Sequence, residues 1–233
     1  MITCLKELQQ IINTAKLVVL SSMLFVISSP VISATSVSMT GSVTTTDVSG
    51  FSGSAYQIGK PDGSRAVYGL WSVERKDKPC YIASMTENVN NSSDDSGALK
   101  DLCGNNATSR EMKAQFSDSK FSDRTFIRSL RVCMNNGKTR IKGFQIKGRE
   151  IDSNGNVIDL PTDYPDSGSS SGLSALVDQN APSDERNNCN GNWKKWAKCP
   201  AGQIATALNV HYAAGSTPRS VTGIALKCRK VGE

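Results

Sequence analysis

The stretch that decides the fold is "GNWKKWAKCPAGQIATALNVHYAAGSTPRSVTGIALKCRKVGE", residues 191–233. Two tryptophans three positions apart, Trp193 and Trp196, stand among Lys194, Lys195 and Lys198. A Cys-Pro-x-Gly follows at Cys199–Gly202, then an alternating run, a polar loop, a second alternating run and Cys228. Alternation with period two is the mark of a half-buried strand. The stretch therefore predicts two antiparallel strands with a loop between them.

The same pattern recurs upstream. "FIRSLRVCM", Phe126–Met134, matches "IATALNVHY", Ile204–Tyr212, with Leu130 against Leu208 and Val132 against Val210. "IKGFQIKGREI", Ile141–Ile151, matches "VTGIALKCRKV", Val221–Val231, with Gly143 against Gly223, Phe144 against Ile224, Ile146 against Leu226 and Arg149 against Arg229. The shifts are 78 (204 − 126) and 80 (221 − 141), a loop-length difference of two residues. "MNNGKT" between the two runs of the earlier copy is a hairpin signal, since Asn-Gly suits the tight turns that match strand twist. A third copy is read further upstream. "CYIASMTENV", from Cys80, is set against "QIATALNVH", and "SGALKDLCG", ending at Cys103, against "TGIALKCR". On that reading Trp71 precedes the first copy, as Trp193 and Trp196 precede the last.

The chain has 233 residues and seven cysteines, with one histidine and a formal net charge of +6. Helix-period stretches are scarce after the first thirty residues, so the expectation is an all-β fold. Residues 1–34 read as a secretory signal: Lys6 and Lys16 precede the apolar "LVVLSSMLFVISSPVISA", and Ile32-Ser33-Ala34 is a small-residue cleavage site. Removing Cys4 with that leader leaves six cysteines, an even number that reads as a disulfide framework in an exported chain. The expected location is secreted, extracellular or periplasmic. The repeat suggests the bridges Cys80–Cys103 and Cys199–Cys228 as equivalent staples, with Cys133–Cys189 as the third. Six cysteines allow fifteen connectivities, and this is one of them. A zinc site would need paired Cys-x2-Cys spacing or several histidines, and neither is present.

Two segments depart from the repeat. Residues 35–64 are rich in Ser, Thr and Gly and read as an edge strand or a flexible arm. Residues 152–190 are acidic and rich in Ser and Pro, a long surface insertion or linker. The β domain is expected over 65–233, carrying that insertion.

The C-terminal stretch resembles the repeat of vitelline membrane outer layer protein I. Trp193, Trp196, Cys199, Pro200, Gly202, Gly223, Ile224, Leu226 and Cys228 carry the resemblance, over about forty residues. It implies a β-prism: three antiparallel repeats of two to four strands about a pseudo-threefold axis. It also implies an extracellular protein with affinity for carbohydrate.

The candidate ligand-binding residues are Trp193, Lys194, Lys195, Trp196, His211, Tyr212 and Arg219. Indole faces stack on sugars, and the cations suit anionic groups. Each has a plainer reading, as core, sheet-edge packing or solvated surface. No catalytic residue, metal or cofactor is expected, since no triad, phosphate loop or zincin motif occurs. Glu74, Glu87, Asp94 and Asp95 offer carboxylates, but no spacing selects a glycosidase pair. Expected partners are glycans or glycoproteins, with a membrane surface second and nucleic acid not among them. A membrane-acting toxin using the arm, and a glycan-cleaving or glycan-transferring enzyme, are the alternative functions.

Overall fold

The computed structural model describes residues 35–61, 63–75, 78–95, 99–104, 110–116, 124–160, 192–215 and 219–232. Fourteen strands lie in them. The N-terminal three are β1 (Ser38–Thr45), β2 (Ser49–Gly50) and β3 (Ser54–Ile58). Then come β4 (Arg65–Arg75), β5 (Lys78–Asn88), β6 (Asn91–Asp95), β7 (Leu99–Asp101) and β8 (Arg110–Gln115). The rest are β9 (Thr125–Met134), β10 (Ile141–Ile151), β11 (Val157–Asp159), β12 (Ala197–Lys198), β13 (Gln203–Tyr212) and β14 (Val221–Gly232). No helix occurs among the described residues.

Three long antiparallel hairpins, β4–β5, β9–β10 and β13–β14, each centre one sheet. The sheet orders are β6-β5-β4-β8, β11-β10-β9-β12 and β1-β14-β13-β3. In every case the hairpin is flanked by its third strand on the second arm and its fourth on the first arm, which is one Greek-key order repeated three times. The third key is completed by strands from the other end of the sequence. The flanking strand beside β14 is broken into β1 and β2, and that beside β5 into β6 and β7, so these two sheets count five strands and the middle one four.

The pairing register proves the repeat residue by residue. Leu70 pairs with Ser84, Leu130 with Ile146 and Leu208 with Leu226. Ser72 pairs with Ile82, Val132 with Phe144 and Val210 with Ile224. Ala66 pairs with Glu87, Phe126 with Arg149 and Ile204 with Arg229. Even the irregularities recur. One residue is skipped in each first arm, namely Tyr68, Arg128 and Thr206, and one in each second arm, namely Cys80, Lys142 and Thr222. Such bulges raise local twist and bend the strand. Here two per hairpin at matching places curl the three sheets about a common axis.

The inward faces meet in one core. Leu70, Leu130 and Leu208 lie there with Ile82, Phe144 and Ile224. A second cluster closes the far end with Ala66, Phe126 and Ile204 from the first arms, and with Ile151, Val231 and Val89, the last just beyond β5, from the ends of the second arms. Burial of each large apolar side chain contributes about 1.5–3 kcal/mol. The protein is thus an all-β prism with pseudo-threefold symmetry.

Two sequence expectations are corrected. The first copy begins at Ala66, not at Cys80: "CYIASMTENV" is the second arm of its hairpin, and Trp71 stands within β4 rather than before the copy. Ser72 and Ser84 occupy places held by Val132, Val210, Ile146 and Leu226 elsewhere, which hid the alignment. The bridges Cys80–Cys103 and Cys199–Cys228 both form. They are not equivalent, because Cys80 matches Lys142 and Thr222 at the second bulge whereas Cys228 matches Thr86 and Gly148. Cys133 is disulfide-bonded, and Cys189 lies outside the described residues.

Of the two readings of residues 35–64, the edge-strand one describes what is found: β1, β2 and β3 all pair with the C-terminal hairpin. The leader, residues 1–34, and residues 161–190 of the insertion lie outside the described residues. Residues 157–159 of the insertion form β11 on the middle sheet.

Candidate functional site

At the end of the prism where β9 and β13 finish and β14 begins, the chain crowds three aromatic groups with cations. The segment between β2 and β3 makes this possible. Gly50 has φ +105°, and a Cβ there would sit 2.3 Å from the Thr222 carbonyl oxygen, so only glycine lets the backbone pass this close. The next residue, Phe51, is then pinned: its N–H donates to the Thr222 carbonyl at 2.9 Å, and the Thr222 hydroxyl donates to its carbonyl at 3.2 Å. Phe51 is left 42% exposed, with the Lys194 ammonium 4.6 Å from its ring centroid.

His211 holds the same segment from β13. The Gly53 N–H donates to its Nδ1 at 3.2 Å, and the Gly53 carbonyl oxygen lies 3.1 Å from that nitrogen. The ring is buried, and its Nε2 meets no hydrogen-bond partner among the described residues. His211 thus acts here as a positioning group for the Phe51–Gly53 turn.

Tyr212, next along β13, is buried and stacks on Tyr56 of β3, ring centroids 5.2 Å apart and planes inclined by 18°. Tyr56 is 38% exposed. The Lys100 ammonium, from β7, lies 3.7 Å from the Tyr56 centroid, and the Arg219 guanidinium lies 5.5 Å from that of Tyr212. The Tyr56 hydroxyl is held below the ordinary tyrosine range by hydrogen bonding with Tyr212, then by hydrogen bonding and charge from Lys100, with Arg219 adding to it.

Trp193 and Trp196 form the third group, on the outer face of the middle sheet. Trp193 bridges to Cys133 beside β9, and the Lys194 N–H donates to the Val132 carbonyl at 2.9 Å. The Arg131 guanidinium lies 4.9 Å from the Trp193 ring and 4.8 Å from that of Trp196, and Lys147 lies 4.9 Å from Trp196. Arg131 Nε also donates to Gln145 Oε1. Arg131 occupies the half-exposed outward position matched by Trp71 and Asn209 in the other hairpins. Cations on aromatic faces contribute about 0.5–1 kcal/mol each at exposed sites.

Of the sequence candidates, then, Trp193 and Trp196 come together about Arg131, Lys194 joins Phe51, and Tyr212 and Arg219 join Tyr56. Lys195 is exposed. Phe51, Tyr56, Lys100 and Arg131 were not singled out from sequence. The outward place of Arg131 in the repeat was the available signal for one of them. The other three sit in segments whose local pattern is polar. Among the described residues no three His, Cys, Asp or Glu side chains converge as metal ligands.

No family model matches the chain, and no curated protein matches it. Among solved structures it is similar to a mannose-specific jacalin-related lectin from Morus nigra in complex with mannose, at 10% identity and TM-score 0.41, covering 84% of this chain and 99% of that one. It is similar to single-chain recombinant jacalin at 8% identity and TM-score 0.41, over 82% of this chain and 97% of that one. The third is a mannose-binding lectin from Champedak, at 7% identity and TM-score 0.40, over 82% and 99%. At such identities and scores the likeness reaches neither ligand nor kinship.

Proposed function

We propose that the chain is a secreted, disulfide-stapled β-prism module that binds carbohydrate or a glycosylated surface and performs no chemistry on it. The observation that carries this reading is the pair of exposed rings, Phe51 and Tyr56, each with an ammonium group over it at one end of a rigid scaffold. Aromatic faces take the apolar side of a sugar ring, and neighbouring N–H groups take its oxygens. Trp193, Lys194, Lys195, Trp196, His211, Tyr212 and Arg219 belong to this surface, with His211 positioning the Phe51 turn and Tyr212 supporting Tyr56. The resemblance of the C-terminal repeat to vitelline membrane outer layer protein I supports the same reading. Recognition residues at strand ends and loops of a stiff β scaffold are the common arrangement.

The test is binding of the oxidised protein across a broad set of immobilised glycans, with insoluble chitin and cell walls included. Saturable binding to one glycan class that is lost on Tyr56→Ala, with circular dichroism unchanged, is the expected result. Absence of binding to every surface overturns the reading.

A further inference from the structure

The stacked tyrosines lie on a seam. Tyr56 and Tyr212 belong to the sheet of the C-terminal hairpin, whereas Lys100 belongs to β7, a flanking strand of the first hairpin's sheet. Arg219 lies in the loop between β13 and β14. Four contacts fix the seam. The Cys80–Cys103 bridge anchors the chain just beyond β7. The Leu102 N–H donates to the Cys80 carbonyl at 2.8 Å, and the Arg219 N–H donates to the Leu102 carbonyl at 3.1 Å. The Arg219 Nε donates to the Gly215 carbonyl at 3.0 Å, which leaves the two Nη groups of the guanidinium for other partners.

No carboxylate neutralises this pair of cations among the described residues. Asp101 adjoins Lys100 in sequence, but its carboxylate accepts the Cys103 N–H at 2.8 Å, and successive side chains of a strand point to opposite faces. Two cations thus stand over two aromatic rings without a counter-charge among the described residues. The Tyr56 hydroxyl is held below the ordinary tyrosine range first by hydrogen bonding with Tyr212, then by hydrogen bonding and charge from Lys100, with a smaller part from the charge of Arg219.

We propose that this seam selects acidic glycans: a carboxylate or sulfate on the sugar is held by Lys100 and Arg219 while the sugar ring lies against the exposed edge of Tyr56. The proposal rests on the carbohydrate reading above and adds the ligand class. A point-charge ammonium and a planar guanidinium that can bind an anion through two N–H groups suit either anion, and fixed placement lowers the ordering cost of binding.

The experiment is calorimetric titration of the oxidised full chain with three oligosaccharides of matched length: one bearing uronic acids, one sulfated, one neutral. Tighter binding of one or both acidic ligands by about tenfold or more is expected, as for a charge-assisted hydrogen bond in place of a neutral one. In the Lys100→Gln, Arg219→Gln double variant that preference ratio collapses toward one. A loss through misfolding would lower acidic and neutral binding together and leave the ratio intact. The Arg219→Lys variant, which retains the charge, keeps part of the preference. Equal affinity for acidic and neutral ligands, or a preference that survives the double substitution, overturns the acidic-glycan assignment and leaves the carbohydrate reading standing. No binding of any oligosaccharide removes both.

Discussion

Arg149, near the end of β10, donates from Nη1 to the carbonyl of Gln203, the first residue of β13. The same Nη1 donates to the Pro200 carbonyl, and the other face of the guanidinium pairs with Asp159 of β11. One buried side chain therefore joins the middle Greek key to the start of the third. Its equivalent Arg229 donates to the Met39 carbonyl at 2.7 Å, joining β14 to β1. Replacing Arg149 by Met would leave two carbonyls and a carboxylate without their donor. We expect a loss of about 2–4 kcal/mol in urea unfolding. A loss under half a kcal/mol would mean that water replaces the guanidinium without cost.

Asp159 itself contributes less, because its side chain is 51% exposed. Its carboxyl is held below the usual carboxylate range, first by the hydrogen bond from Arg149 and then by the charges of Arg149, Arg128 and Lys198. A depressed folded-state value stabilises the fold above the unfolded value of about 3.9, and that contribution is lost as pH falls through the folded value. Asp159→Asn should cost about 0.5–1 kcal/mol at neutral pH after solvent screening. The difference between wild type and variant should shrink below about pH 4. A difference that stays constant with pH would show that the carboxylate charge is not what matters.

How far the sequence could be read follows from the three pairings around Leu70, Leu130 and Leu208. In the second and third hairpins the partners are Ile146 and Leu226, and the next pairs are Val132 with Phe144 and Val210 with Ile224, so apolar spacing alone revealed them. In the first hairpin Ser84 and Ser72 stand at those places, so the local likeness of Ile82-Ala83-Ser84 to Ile204-Ala205-Thr206 drew the alignment onto the wrong arm. Bulges add to this, since each skipped residue resets a period-two pattern. The seam was less visible still. Tyr56 and Lys100 come from short strands far apart in sequence, and only sheet pairing and the Cys103 bridge bring them near Tyr212.

The two described disulfides close spans of 23 and 29 residues. In the chain-entropy model each contributes about 3.5 kcal/mol. Their consequences should differ. Cys199→Ser with Cys228→Ser loosens the entry to β13 and lowers the melting temperature. Cys80→Ser with Cys103→Ser should lower it comparably and also weaken glycan binding, since Lys100 and Leu102 lie within the span it closes. If that second pair left binding intact, the bridge would not be what holds the seam.

Ionisation of the tyrosines gives a test that needs no ligand. Tyr56 should titrate below the ordinary tyrosine value of about 10, and Tyr81, pushed up by burial and by the charge of Asp101, above it. Ultraviolet difference titration of the wild type against Tyr56→Phe should remove the earliest ionising step. Lys100→Met should move that step toward higher pH. A wild type in which no tyrosine ionises early would mean that Lys100 and Tyr212 do not stand against the Tyr56 hydroxyl in solution.

Arg131 tests whether the tryptophans are held by the sheet. Its guanidinium lies against both indoles and, through Gln145, is fixed to the neighbouring strand. Arg131→Ala should cost about 1–2 kcal/mol and shift indole emission to the red as Trp193 and Trp196 meet more water. Unchanged emission would place the indoles' support elsewhere in the sheet.

Gly223 links the backbone of the fold to the exposed Phe51. A Cβ on Gly223 would lie 2.6 Å from the Phe51 carbonyl oxygen and 2.7 Å from a Val48 methyl. Real Cβ contacts with backbone do not approach so closely, so Gly223→Ala must push the Phe51 segment away from β14. The core beneath, with Ile224 and Val210 paired, has no reason to open. We expect a stability loss of about 1–3 kcal/mol from the overpacking and a larger effect on binding, because Phe51 leaves Lys194 and Gly53 leaves His211. Amide resonances of residues 50–53 should shift while those of Leu130 and Ile146 stay in place. If binding and those resonances were all unchanged, the close passage of the Phe51 segment over β14 would not be what positions the aromatic surface.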